Sequence, residues 1–445
     1  MNRKRKRLIV GALIAVELLI CVAIVAGLAT FRFVFPRVRF LYVADTRAEE
    51  IVEQSFVTDG PAALDLTNTF GDIDITGGEG DRFVVKATKE AWGQDKRDAE
   101  AKVQALQVNM TMDGGTLRVQ VEDPGAETIV GFGSVRGSQV RFVVTAPART
   151  AVVVNTRHGR VTLTGTAGGA DLTSRFGLIA VEDVSGDITV DTNNGDVTVR
   201  RSGDEGAAVE LHSDFGDITA QEVTAGELAL DSNNGALELE DVTVHNDLIL
   251  DTRFGRIELG GVRAKSLKVM GQNGDITLQD ARFDGLLDIS TTFGAVSVSD
   301  TEASEYKIET QNGAIELDGG GGPLWLHSNF GDVDVRGARD ATLDLVTGNG
   351  KVMFEGSLSA QADHLVKSNF GAVLLRLPPD TAVFLDADTD FGRIRCDFDV
   401  LVKGKDDRES RASGDELHGT INGGRDRLRI EIRNGDITIE VERSR

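Results

Sequence analysis

A glycine preceded by phenylalanine or asparagine recurs every 18–21 residues through most of the chain, and this spacing constrains the fold more than any other feature. The regular series is Gly177, Gly195, Gly216, Gly235, Gly255, Gly274, Gly294, Gly313, Gly331, Gly350, Gly371 and Gly392. The preceding residue alternates between Phe and Asn from Phe176 to Phe370, and the alternation breaks at Phe391. Repeats of this length are typical of stacked units that share a core, because one unit alone cannot bury its apolar face.

Apolar residues recur at fixed distances from each glycine, five and seven places before it and two and four places after it. Around Gly255 they are Leu248, Leu250, Ile257 and Leu259. Alternation at period two predicts two strands per unit, each with one buried face. Asn-Gly favours a hairpin, but Phe is unsuited to the first position of a type I′ turn, where φ is positive. We therefore expect an all-β fold, a parallel β-helix or solenoid with coils of about 20 residues.

The residue before each glycine shares the parity of the inward strand positions, so Phe and Asn are both predicted to point into the corner of the coil. Ser or Thr stands three places before nearly every glycine, where its hydroxyl can hydrogen-bond turn backbone. In this interpretation Phe fills volume in one unit and Asn bonds the backbone in the next. A coil made of two units, about 39 residues, remains open, and Phe would then stack on Phe. In either case the motif is interpreted as structural.

The repeat is interrupted at both ends. Residues 59–150 contain strand-like segments and a predicted helix over 95–108, which indicates an elaborated first part of the solenoid. Regular repeats are expected over 151–400. Residues 401–445 are expected to hold an exposed polar loop, 404–419, and C-terminal capping strands, because solenoids need atypical terminal units.

The N-terminus begins MNRKRKR and continues with an apolar run over residues 8–30. As a helix this run would be about 34 Å long, enough to cross a bilayer. Residues 1–39 are therefore expected to form a basic N-terminus with a transmembrane signal anchor, and 40–58 a juxtamembrane linker. More basic residues before the run than after it predict a cytoplasmic N-terminus and an extracytoplasmic body at the cell membrane. A cleaved signal peptide, with Gly27 and Ala29 as the cleavage pair, is the alternative.

Charge is divided unequally along the chain. Residues 1–39 hold eight Lys or Arg and one acid, a formal charge of +7, so the rest must carry −30 to reach the total of −23. Such a body repels nucleic acid and attracts cations, basic peptides or basic proteins. The cysteines Cys21 and Cys396 lie far apart in the sequence, so we expect no intrachain disulfide.

The sequence supports no catalytic, cofactor-binding or metal-binding residue. The six histidines show no ligand spacing, and Cys396 occupies an inward slot typical of a small core residue. Parallel β-helices include polysaccharide lyases, which collect acids beside a basic residue on adjacent coils. The slots after the glycines do not provide such a run, since they hold Asp72, Asp196, Asp217, Arg256, Asp275, Ala295, Ala314, Asp332 and Lys351. No phosphate loop, nucleophile elbow or dinucleotide fingerprint occurs, and we expect a protein that is not an enzyme and has no cofactor.

The chain resembles the bacterial putative-adhesin family of β-strand-repeat proteins, a domain of unknown function, at its repeats TNTFGDIDITGG, TNNGDVTV, SNFGDVDV and RLRIEIRNGDITIEV. VRFVVTAPARTAVVVNTRHGRVTLTG is similar to the segment that leads into that family's regular coils. The resemblance covers roughly residues 55–443. It implies a parallel β-solenoid, often membrane-tethered and outside the cytoplasm, and it supplies no catalytic residues.

These features together predict a membrane-anchored, extracytoplasmic β-solenoid that serves as a non-catalytic, adhesin-like interaction or structural module of the cell envelope. One alternative is an envelope-stress sensor that binds cationic peptides, and another is a polysaccharide-processing β-helix enzyme. The expected partners are the membrane, through residues 8–30, and envelope proteins, glycans or cationic peptides. Nucleic acid is not expected, and the sequence specifies no oligomeric state.

Overall fold

The computed structural model describes residues 46–58, 60–122, 137–402 and 414–442. The predicted transmembrane segment lies outside these ranges. No helix within them combines the length and apolar character needed to span a bilayer.

The strands of the described chain are short and numerous. The first are β1 (Thr46–Val57), β2 (Ala62–Thr67), β3 (Ile73–Gly78), β4 (Arg82–Gly93), β5 (Gln107–Asp113), β6 (Thr116–Glu122), β7 (Ser138–Pro147), β8 (Thr150–His158) and β9 (Val161–Thr164). The regular region holds β10 (Ala170–Phe176), β11 (Ile179–Glu182), β12 (Ile188–Asn194), β13 (Val197–Arg200), β14 (Ala208–Phe215), β15 (Ile218–Gln221), β16 (Thr224–Ala225), β17 (Glu227–Asn234), β18 (Leu237–Glu240), β19 (Thr243–Val244), β20 (Asp247–Phe254), β21 (Ile257–Gly260), β22 (Arg263–Ala264), β23 (Ser266–Asn273), β24 (Ile276–Gln279), β25 (Arg282–Phe283), β26 (Leu286–Phe293), β27 (Val296–Ser299), β28 (Glu305–Asn312), β29 (Ile315–Asp318) and β30 (Gly321–Phe330). The last are β31 (Val333–Asn349), β32 (Val352–Leu358), β33 (His364–Phe370), β34 (Val373–Leu377), β35 (Val383–Phe391), β36 (Ile394–Cys396), β37 (Val400–Leu401), β38 (Glu416–Ile421), β39 (Arg427–Asn434) and β40 (Ile437–Val441).

The chain divides into two compact units. As far as the structure describes it, the smaller unit contains residues 46–49, 91–105 and 137–138, with helix α1 (Lys96–Ala105). The larger unit contains the remaining described residues and forms the solenoid.

The predicted helix is confirmed, with a later start and an earlier end than expected. Asp95 caps it, because its Oδ1 accepts a hydrogen bond from the backbone N–H of Asp98 at 2.9 Å. The Asp98 carboxylate in turn accepts the N–H of Gln94 at 2.9 Å, which completes a reciprocal cap. The helix ends at Ala105 because the following residues enter β5, which pairs antiparallel with β6.

Successive coils of the solenoid pair in parallel. Phe176 is in register with Asn194, and Asn194 is in register with Phe215. One unit of about 20 residues is therefore one coil. This confirms the predicted parallel β-solenoid and rules out the 39-residue coil.

Each regular coil has a longer strand before the corner glycine and a four-residue strand after it. In the coil of Gly255 these are β20 and β21, and the inward residues Leu248, Leu250, Ile257 and Leu259 are at most 3% exposed, as predicted. In the middle of the stack a third side is formed by β16, β19, β22 and β25, which make a separate four-stranded sheet. The aliphatic side chains of neighbouring coils meet in one continuous core.

The corner glycines are required by the close approach of one coil to the next. A Cβ atom on Gly255 would lie 1.9 Å from the carbonyl oxygen of Gly235, and a Cβ on Gly235 would lie 1.9 Å from that of Gly216. Any side chain would collide with backbone, which explains why glycine persists while the residue before it varies.

The last two strands, β39 and β40, were expected to cap the solenoid but lie within the stack. β39 pairs in parallel with β33 on one side and with β35 on the other. β38 pairs antiparallel with β35 and lies beyond it. The predicted exposed loop is therefore wrong for residues 416–419, which begin β38 and bury Leu417. The loop residues 404–413 lie outside the described ranges.

Candidate functional site

The residues directly before the corner glycines form one line along the solenoid unit, which we call the corner column. In spatial order it contains Phe70, His158, Phe176, Asn194, Phe215, Asn234, Phe254, Asn273, Phe293, Asn312, Phe330, Asn349, Phe370, Asn434 and Phe391. Each member is in register with its neighbours on the adjacent coils.

The phenylalanines of the corner column are on the surface, so the prediction that they point into the corner is wrong. They are between 38% and 72% exposed. Alternation in and out of the core stops at the buried hydroxyl residue three places before each glycine. In the coil of Gly255, Thr252 is buried and both Arg253 and Phe254 are exposed although they still belong to β20, so parity no longer fixes direction in the last two residues before the corner.

The alternation of Phe and Asn follows the order of the coils in the structure, not the order of the units in the sequence. Along the chain it breaks at Phe391, which follows Phe370 in the series of units. In the structure Asn434 lies between these two phenylalanines and is in register with both. The corner column therefore keeps a phenylalanine on every second coil up to its last member.

Most of the buried hydroxyls beneath the corner column bond the turn backbone, as predicted. Eight of them donate to the carbonyl oxygen of the corner glycine on the adjacent coil. The shortest examples are Thr347 to Gly331 at 2.8 Å and Ser328 to Gly313 at 2.9 Å. Ser213, Ser232, Thr252, Thr310, Ser368 and Thr389 make the same contact at 3.0–3.3 Å. The hydroxyls of Thr156, Ser174, Thr192 and Thr291 have no hydrogen-bond partner among the described residues.

The asparagines of the corner column also bond backbone across coils, which confirms that part of the interpretation. The Nδ2 of Asn234 donates to the carbonyl of Asp214, and the Nδ2 of Asn273 donates to that of Arg253, both at 3.4 Å. The acceptor is the residue just before the phenylalanine of the preceding coil. These amides thus lie between exposed phenylalanines, whose rings are the apolar part of the column.

The first three members of the corner column are aromatic. The rings of Phe70 and His158 stack with centroids 4.6 Å apart and planes 2° from parallel, and those of His158 and Phe176 stack at 4.8 Å and 5°. The ring faces lie along the stacking direction, so only the edges are free. Burial between two rings lowers the pKa of His158, and the nearby charges of Arg157 and Arg175 lower it further.

The aspartates just after the corner glycines are engaged with backbone. Asp217 Oδ1 accepts the N–H of Ala236 at 2.8 Å, and Asp332 Oδ1 accepts that of Lys351 at 2.7 Å. Asp72, Asp196, Asp275 and Asp436 do the same at 2.9–3.0 Å. These carboxylates tie one coil to the next and are poorly placed to act as an acid or a base on a substrate.

One group of potential metal ligands occurs in the described ranges, formed by Asp386, Asp388 and His418, whose donor atoms lie within 4.8 Å of one another. His418 Nδ1 is 2.6 Å from Asp386 Oδ1, and the other oxygen of Asp386 contacts the guanidinium of Arg427. Burial opposes ionisation of Asp386, but its bonds to Arg427 and His418 hold its pKa below the usual value. The group is an ion-pair network with its central carboxylate already neutralised. Sequence spacing does not reveal it, because β38 brings His418 to β35 from a segment predicted to be a loop.

Cys396 is half-buried against the core, in the inward slot predicted for it. Burial raises the pKa of its thiol. A protonated, partly covered thiol is a weak nucleophile, which agrees with a packing role.

Comparison with known proteins identifies a family whose model matches most of this chain. The family model described as Toastrack DUF4097 matches residues 62–298 and 262–440. Among solved structures the chain is similar to a putative cell adhesion protein from Clostridium sporogenes, at 11% identity over 88% of this chain and 100% of that one, with a TM-score of 0.16. It is also similar to a putative adhesin from Bacteroides fragilis, at 16% identity over 60% of this chain and 96% of that one, with a TM-score of 0.29. No curated protein matches the chain.

Proposed function

The chain belongs to the Toastrack DUF4097 family, and from this premise we propose that it is a membrane-anchored, extracytoplasmic, adhesin-like binding module of the cell envelope without catalytic activity. The observation that carries the proposal is the corner column. Half-exposed phenylalanine rings recur on every second coil, separated by asparagines, of which Asn234 and Asn273 bond the backbone of the preceding coil. Extended apolar surface bordered by polar groups is typical of an interaction site.

The repetition of the corner column suits binding to an extended or repetitive surface. Coils are about 4.8 Å apart, so equivalent rings recur about every 9.6 Å along the stack. Each ring offers a small apolar contact of modest strength. Several contacts made at once multiply the affinity without any single strong pocket, which is how multivalent binders work.

Anchoring is supported by the apolar run over residues 8–30 and the basic residues before it. Cells that express the chain with an epitope tag at its C-terminus test this part of the proposal. We expect externally added protease to remove the tag from intact spheroplasts, and the chain to sediment with membranes. A tag protected from protease, or a chain in the soluble fraction, contradicts the anchored orientation.

Binding through the corner column is tested with the full chain in detergent micelles and washed envelope fragments. The variant Phe215→Asn, Phe254→Asn and Phe293→Asn replaces three rings with the residue that the column already uses on alternate coils. We expect it to lose most co-sedimentation with the fragments. The matched control is Ile249→Asn, which removes an apolar side chain that is 41% exposed and lies outside the column. Equal binding by the triple variant, or equal loss in the control, contradicts the proposal.

A second candidate function, the binding of cationic peptides, is favoured by one acidic feature. Asp231 and Asp251 are in register on adjacent coils. Burial raises the pKa of Asp251 and the charge of Asp231 raises it further, while Arg253 and Lys268 lower it, and His212 Nδ1 lies 3.2 Å from Asp231 Oδ2. A basic peptide would have to add its charge to these existing contacts. Salt-sensitive binding of a basic peptide that Asp231→Asn with Asp251→Asn abolishes would support this function, and no binding at low salt would contradict it.

A further inference from the structure

Two arginines border the aromatic end of the corner column. Arg157 directly precedes His158, and Arg175 directly precedes Phe176. Thr156 is in register with Ser174, and His158 is in register with Phe176. Arg157 and Arg175 therefore lie side by side on adjacent coils, about 4.8 Å apart along the stack.

Neither arginine has an acidic partner in the described part of the chain. Like charges on neighbouring strands destabilise a sheet unless something compensates them. Acids are plentiful, since the chain has 71 acidic and 48 basic residues, and exposed arginines elsewhere use them. Arg256, for example, contacts both Glu238 and Glu258. The arginine pair is thus a local positive site on an acidic protein.

The other charged groups near the pair do not neutralise it. The guanidinium of Arg160 adds a third positive charge and lies 3.9 Å from Asp72 Oδ2. Asp72 Oδ1 accepts the backbone N–H of Arg160 at 3.0 Å, so this carboxylate is held on the far side of the corner glycine. Three cations and one acid leave a net positive charge beside the stacked rings.

We propose that Arg157 and Arg175, together with the free edge of the His158 ring, bind a single phosphate group. A guanidinium presents paired N–H donors that match phosphate oxygens, and two of them side by side can hold one anion from both sides. Because Phe70 and Phe176 cover the faces of the His158 ring, only its edge can reach the ligand, and a neutral imidazole has an N–H to donate there. The net charge of −23 repels a long polyanion, which favours one compact phosphate over a phosphate polymer.

The stacked histidine supplies a readout for the site. Burial lowers the pKa of His158, and the charges of Arg157 and Arg175 lower it further. An anion that neutralises them removes this effect, so the pKa of His158 should rise as the site fills, whereas a purely structural arginine pair would not respond to phosphate.

The experiment is an NMR titration of His158 in the full chain, in detergent micelles, with and without inorganic phosphate at constant ionic strength. The His158→Asn variant assigns the signal, and it should fold because Asn is the usual residue of the corner column. We expect a saturable rise in the pKa of His158 with phosphate in the wild type and no phosphate response in Arg157→Gln with Arg175→Gln. The matched control is Arg253→Gln, which alters an arginine in the equivalent slot beside Phe254 and should leave the response intact. An equal rise with chloride, no rise in the wild type, or a rise that survives in the double variant overturns the proposal.

Two sources of phosphate can be told apart with the same signal. Glycerophosphoglycerol carries the phosphodiester of a lipid headgroup without acyl chains. Saturation at lower concentration than inorganic phosphate identifies a headgroup as the source, and the reverse identifies free phosphate. Either order supports the site, and no response to both refutes it.

The inference rests on the proposed function, since it gives the chemistry of one end of the corner column. The phosphate site and the adhesin-like function can still be refuted separately. Envelope binding that depends on Phe215, Phe254 and Phe293 without any phosphate response refutes the arginine site alone. A phosphate response without envelope binding refutes the adhesin-like function and leaves the phosphate site standing.

Discussion

Asn434 is in register with Phe370, although strands β34 to β38 separate the two residues in the chain. On its other side Asn434 is in register with Phe391. The chain therefore returns to insert an amide between two rings that successive units would have placed side by side. This arrangement indicates that contact between neighbouring coils, and not the order of the repeats, determines which residue precedes each corner glycine.

The corner glycines should tolerate no side chain. Gly255→Ala places a Cβ atom 1.9 Å from the Gly235 carbonyl oxygen, and the shift of backbone needed to relieve this should cost about 3 kcal/mol of unfolding free energy. Gly260→Ala is the control, because a Cβ there meets no atom within 4 Å, and its effect should stay within about 0.5 kcal/mol. Denaturant unfolding measures both. Similar losses in the two variants would show that coil contact is not the reason for the glycine.

The exposed rings should contribute little to folding. Phe254→Asn removes a side chain that is 54% exposed, so its cost should be about 1 kcal/mol or less. Leu250→Ala, in the same strand but in the core, should cost about 2–5 kcal/mol. Unfolding by chemical denaturant compares them, and an equal loss for Phe254→Asn would contradict the placement of the corner column on the surface.

The hydroxyls under the corner should differ according to whether they have a partner. Thr347→Val removes a 2.8 Å hydrogen bond to the Gly331 carbonyl and should destabilise the protein by about 1 kcal/mol. Thr192 is equally buried, but its hydroxyl has no hydrogen-bond partner among the residues that the structure describes. Thr192→Val should therefore be neutral or slightly stabilising, because it removes an unpaired buried polar atom. Thermal unfolding of the two variants tests this, and the opposite order would refute the role given to the hydroxyls.

Acid should destabilise the solenoid through His364. This side chain occupies an inward slot, its Nε2 has no partner within the described ranges, and burial lowers its pKa below the ordinary 6.5. The unfolded chain then takes up the proton first, so the stability contributed by neutral His364 is complete above pH 6.5 and is lost as the pH falls towards the lowered value.

The variant His364→Leu tests this pH dependence. Leucine already occupies the register position on the next coil, at Leu428, so the replacement suits the site. We expect its unfolding free energy to fall less steeply below pH 6.5 than that of the wild type. Parallel pH profiles for the two proteins would show that His364 does not carry the effect.

The inward positions could be predicted from the sequence because a strand that stays extended keeps its parity. The same reasoning misplaced Phe254, because the alternation ends at Thr252: both Arg253 and Phe254 are exposed although both still belong to β20. A signal for this was present in the composition of the column. Inward positions such as Leu248 and Leu250 pair with aliphatic residues on adjacent coils, whereas a site that alternates between Phe and Asn does not keep the constant volume and polarity that a core requires.

The position of Asn434 could not be predicted, because the sequence orders the units but does not say where the last one inserts. The arginine pair was open to prediction, since Arg157 and Arg175 each stand two places before a corner glycine, but only the register of β8 and β10 decides between coils of one unit and of two.

Disulfide cross-linking tests the spatial order of the corner column most directly, in a chain with Cys21→Ser and Cys396→Ser. Register partners on adjacent strands are about 4.8 Å apart, within the range for a disulfide, whereas residues two coils apart are about 9.6 Å apart and beyond it. We predict rapid oxidation of Phe370→Cys with Asn434→Cys and of Phe391→Cys with Asn434→Cys, and none of Phe370→Cys with Phe391→Cys. A disulfide in the third pair, with none in the first two, would place the units in the order of the sequence and contradict the continuous corner column.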